Sequence, residues 1–91
     1  MKLKQDGVGI GANLKRLRLS KGYSQSKLVT ELHLLGFTYI TCDIYKKMEQ
    51  NRYNIRISEL IALQLLFNVS YDEFFKDLTI NNLLTNYDAS I

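Results

Sequence analysis

No proline interrupts the 91-residue chain, and three of its five glycines sit together at Gly7, Gly9 and Gly11. A sequence so poor in breakers takes up whatever its apolar spacing favours, and that spacing is helical. Ile10, Leu14 and Leu17 fall at i, i+4, i+7, which predicts a helix over Ile10–Lys21 with Gly22 as its stop. Ser24 can cap a second helix at about 25–35, in which Leu28, Leu32 and Leu35 repeat before Gly36 ends the run. Thr41 is placed to cap a short third helix, Cys42–Gln50, with Tyr45 and Met48 inward and Asn51 as a left-handed terminator. A fourth run passes from Ser58 through Leu60, Leu63 and Phe67 to Asn68. Ser70-Tyr71-Asp72-Glu73 then matches the S-x-x-E capping box of a fifth helix. Ile80, Leu83, Leu84 and Tyr87, at i, i+3, i+4, i+7, put an apolar stripe on a tail helix too short to stand alone. The expected fold is all-α: five helices and a short C-terminal tail helix.

The length allows one small domain, against about 100–200 residues for a typical one. With 46% hydrophobic and 23% charged residues the composition is that of a globular chain. The expected division is a flexible N-terminal arm at 1–8, the folded domain at 9–76, and a tail at 77–91. The single cysteine, Cys42, excludes an intramolecular disulfide and suits a reducing cytoplasm. No apolar run approaches the ~20 residues of a membrane span, and no secretory apolar segment of about 7–15 residues follows the first lysines. A cytoplasmic protein without a membrane partner is therefore expected.

Charge is divided along the chain. Residues 1–56 hold 11 Lys/Arg against 4 Asp/Glu, a net +7, while residues 57–91 hold 1 against 5, a net −4. The first part is suited to an anionic partner, with nucleic acid ahead of a membrane surface. Enzyme chemistry finds little support. Gly7-Val8-Gly9-Ile10-Gly11-Ala12 fits the dinucleotide pattern G-x-G-x-x-[GA], but only six residues precede it, too few for the strand that must lead into it. His33 and Cys42 are the only residues of their types, short of the four ligands usual for zinc. No nucleophile set or carboxylate pair stands at an interpretable spacing, so no cofactor, metal or small-molecule ligand is expected.

Two consecutive helices, the second short, capped and polar on its outward face, in a small basic all-α domain, form the arrangement that lays a recognition helix in the DNA major groove. Five segments in order carry a family likeness: Ile10-Gly11-x-x-Leu14-x-x-Leu17-Arg18, Tyr23-Ser24-Gln25-x-x-Leu28, Tyr45-x-x-Met48-Glu49, Glu59-Leu60-x-x-Leu63, and Asn68-Val69-Ser70-x-Asp72-Glu73-Phe74. Over residues 9–76 the chain resembles the phage repressor/Cro-type helix-turn-helix family. The stretch Gly36–Ile40 is longer than that family's usual turn of about 3–4 residues, which makes the likeness one to its long-turn variant. Val29 and Gln64 stand where the family favours alanine, so looser or shifted packing is expected there.

The resemblance implies residue roles. Cys42, Asp43, Ile44 and Lys47 would face base edges: Lys47 donating to guanine, Asp43 accepting from cytosine, Ile44 meeting a thymine methyl. Asp43 has the alternative of capping its own helix. Ser24, Gln25, Lys27, Lys46, Gln50, Arg52, Tyr53 and Arg56 would meet the DNA backbone, with Ser24 and Gln25 at a helix N-terminus whose free amides favour phosphate. The plain alternative makes Ser24 only a cap and Gln25 only solvated. Arg18 and Glu49 match positions that the family joins in an ion pair tying helix one to the recognition helix; a free phosphate contact is the alternative for Arg18. The implied protein is a double-stranded-DNA-binding transcriptional repressor, a homodimer on a pseudo-palindromic site. Ile80, Leu83, Leu84 and Tyr87 would form its dimer contact, or else cover their own core. The competing reading is a protein-interaction module or antitoxin-like adaptor on the same scaffold.

Overall fold

A computed structural model describes residues 9–78. The expected arm at 1–8, and the tail stripe of Ile80, Leu83, Leu84 and Tyr87, lie outside those residues. Four α-helices follow one another: α1 Gly11–Ser20, α2 Gln25–Leu34, α3 Cys42–Glu49 and α4 Ile57–Phe67. Their bounds agree with the apolar period to within a residue or two. No strand occurs among the described residues, and no helix there is long and apolar enough to cross a membrane.

The expected fifth helix is a single 3-10 turn, Tyr71–Phe75. Its capping box does not form: the Ser70 side chain makes no cap bond, and the Glu73 carboxylate instead pairs with Arg16 at 3.1 Å. The carbonyls that an α-helix would use internally are taken by α1. Arg16 donates to the Glu73 carbonyl at 2.9 Å, and the Asn13 amide donates to the Phe74 and Lys76 carbonyls, both at 2.9 Å. Docking onto α1 thus outcompetes local helix extension.

Helix ends explain the remaining boundaries. Ser24 Oγ accepts the Lys27 amide at 3.0 Å and Thr41 Oγ1 accepts the Ile44 amide at 3.1 Å, each satisfying an orphan donor. After α1 and α2, Gly22 (φ 75°) and Gly36 (φ 99°) take the left-handed turn that the paired closing bonds require. Asn51 (φ 60°) does the same after α3, where the Arg52 amide closes on the Lys47 carbonyl at 2.8 Å.

The core draws on every element: Leu14 and Leu17 of α1, Leu28, Val29 and Leu32 of α2, Ile40 of the linker, Tyr45 and Met48 of α3, Ala62, Leu63 and Phe67 of α4, and Phe74. Val29 is buried in this core. Gln64 reaches past the core to donate to the Val69 carbonyl at 2.8 Å, tying the end of α4 to the following turn. α3 packs against both α1 and α2, so its orientation is fixed from two sides.

Candidate nucleic-acid interface

Because α3 buries Tyr45 and Met48, its opposite positions 42, 43, 46, 47 and 50 are exposed together. Cys42, Asp43, Lys46, Lys47 and Gln50 therefore make one continuous polar strip, with the exposed Arg52 just beyond it. Ile44 is half-buried and packs against the core at the edge of the strip. Thr41, not Asp43, caps the helix; Asp43 lies exposed in the first turn, where the helix dipole favours a carboxylate.

The inward side is pinned by charge. Arg18 of α1 holds the Glu49 carboxylate with two donors, Nε to Oε2 at 2.6 Å and Nη2 to Oε1 at 3.3 Å. The two side chains are only 8% and 6% exposed. Gln25 adds a third donor, Nε2 to Oε1 at 3.1 Å, and Arg18 Nη1 also reaches the Tyr23 carbonyl at 2.8 Å. Burial pushes the Glu49 carboxyl up, but the hydrogen bonds from Arg18 and Gln25 outweigh it and leave it below its ordinary value. The same hydrogen bond raises Arg18. Beside them the Tyr45 hydroxyl is buried without a hydrogen-bond partner among the described residues, and burial, then the Glu49 charge, drives its phenol strongly up, so it stays neutral.

A second anchor holds the two linkers that flank α3. Glu59, the only acidic residue of α4, is fully buried. Its Oε2 accepts the hydroxyl of Tyr39, before α3, at 2.5 Å, and that of Tyr53, after α3, at 2.8 Å. Its Oε1 accepts the Arg56 amide at 2.8 Å, closing the first turn of α4. Burial raises the Glu59 carboxyl, yet the Tyr39, Arg56 amide and Tyr53 bonds together leave it lowered. The Arg56 guanidinium lies 5.9 Å from the Tyr39 ring centre. His33 Nε2 meets the Ile40 carbonyl at 2.7 Å and fixes the same linker from α2; the carbonyl can only accept, so that nitrogen carries the proton.

The expected backbone-contact residues divide accordingly. Ser24, Lys27, Lys46, Gln50, Arg52 and Arg56 are exposed. Ser24 is occupied as a cap, and Lys27 lies 3.5 Å from Glu31 along α2, a surface pair of small weight. Gln25 and Tyr53 are half-buried and spend their polar atoms on Glu49 and Glu59. No sequence signal joins Tyr39 to Glu59: a linker residue carries no period, and Glu59 stands out only as part of the Glu59-Leu60-x-x-Leu63 segment. Asn51, expected as a terminator, has a second role: its Oδ1 accepts the Gly11 amide at 2.8 Å and caps α1. Among the described residues no group of three or more His, Cys, Asp or Glu is arranged to hold a metal ion. Comparison with protein-family models, curated proteins and solved structures finds no match for this chain.

Proposed function

We propose that this chain is a sequence-specific double-stranded-DNA-binding regulator of the phage repressor/Cro-like helix-turn-helix kind, acting as a homodimer that occludes a promoter. The observation that carries the reading is α3 itself. It is a short capped helix whose polar, lysine-bearing strip is wholly exposed, while an ion pair on one side and a buried carboxylate under both linkers hold it rigid. A preformed strip loses little ordering entropy on binding, which favours recognition by fixed side chains. Lys47 and Asp43 read base edges, with Cys42 and Ile44 beside them, and Lys46, Gln50, Arg52 and Arg56 hold phosphates. Gln25 and Tyr53 act from behind, by fixing the elements that carry those residues.

The test is selection of binding sites from a random duplex library, followed by titration of the recovered site against scrambled DNA at two salt concentrations. A palindromic site with half-sites about one helical turn apart, weakened by Lys47→Ala, supports the regulator. No enriched site, together with capture of an acidic protein that survives high salt, overturns it in favour of a protein-interaction module, because phosphate binding weakens steeply with salt.

A further inference from the structure

α4 inverts the usual pattern of a surface helix. Its one charged side chain, Glu59, points inward and is fully buried, while Ile57, Ile61 and Leu65 are 78%, 45% and 62% exposed. The only other exposed residue of the helix is Ser58. An outward face without a single charge is normally covered. Ile57, Ile61 and Leu65 recur at i, i+4, i+8, so they share one face, and they are spaced evenly about Ile61.

We propose that a second copy of this chain covers this face, α4 against α4, antiparallel about a two-fold axis at Ile61. An isologous contact must be its own complement. The even spacing meets that condition, since Ile61 faces its own equivalent while Ile57 of each copy faces Leu65 of the other. Charge favours the same orientation. Antiparallel pairing sets the positive N-terminal end of each α4 dipole beside the negative C-terminal end of the other, where parallel pairing would oppose like ends. The three side chains expose on the order of 300–400 Å², the size of a functional patch on a monomer and less than the ~800 Å² per partner of a standard interface. The free dimer is accordingly weak and concentration-dependent. The inference supplies the contact that the homodimer reading above calls for, and it is tested without DNA.

In the full chain carrying Cys42→Ser, single cysteines are placed at 57, 61 or 65 and treated with a short bismaleimide. Ile61→Cys links to itself, well above a Lys15→Cys surface control. Ile57→Cys and Leu65→Cys each link poorly alone but link to one another when mixed. Sedimentation of the unmodified chain shows a dimer that grows over 10–500 μM, roughly the range expected of a contact below standard size, and Ile61→Glu abolishes it by setting two carboxylates against each other. Efficient self-linking at 57 and 65 overturns the antiparallel arrangement. A 61 cysteine no faster than the control, with the chain monomeric throughout, overturns the proposal and leaves residues 79–91 or another protein as the cover. Ile61→Glu that still binds an isolated half-site, or an Ile61→Cys chain that binds no DNA yet still links at 61, separates this inference from the regulator reading.

Discussion

The buried Glu59 carboxylate takes three donors, the Tyr39 hydroxyl from the linker before α3 and the Tyr53 hydroxyl and Arg56 amide from the linker after it. Glu59→Gln keeps the shape but turns one acceptor oxygen into an amide that faces hydroxyl donors, and should cost about 1–3 kcal/mol in urea unfolding at pH 7. The pH dependence has a definite sign. Glu49 and Glu59 are both held below the ordinary 4.5, so the stability they add is fully present above that value. It is lost as pH falls through their lowered values. Urea midpoints should thus drop steeply only below about pH 4.5, and Glu59→Gln should flatten part of that drop; an unchanged profile would place the dependence elsewhere.

At the level of elements, the tie between α1 and α3 is a buried ion pair, whose net worth is small but whose halves are costly to strand. Glu49→Met alone should destabilise by about 3–5 kcal/mol, and Arg18→Met added to it should recover much of the loss, as a double-mutant cycle by denaturant unfolding would read. The four α-helices were legible because the apolar period and a Gly or Asn stop agree at each one, joined at α2 and α3 by the Ser24 and Thr41 caps. The turn at Tyr71–Phe75 was not, because what decides it is Asn13 and Arg16, more than fifty residues away in sequence. The exposed strip of α3 followed directly from burying Tyr45 and Met48. The linker anchor did not, since its tyrosines stand twenty and six residues from Glu59 in segments without a repeat.

Over the whole molecule the net +7 of residues 1–56 against −4 of the remainder sets where a polyanion can approach. If Lys46, Arg52 and Arg56 each hold a phosphate, removing any one by alanine should lower affinity for all duplexes alike and reduce the salt slope by about one per half-site. Fluorescence anisotropy at several salt concentrations measures it; an unchanged slope would remove that residue from the contact set. The Asn51 cap on Gly11 carries a consequence for how the molecule comes apart. The start of α1 borrows its terminal acceptor from the residue that ends α3, forty positions later. An added methyl at Gly11 would run into the Glu49 carbonyl, so the two backbones are already as close as they can be. Fraying at the front of the domain is thereby coupled to release of α3: the Gly11 amide exchanges its hydrogen on the schedule of α3, not on that of the helix it belongs to.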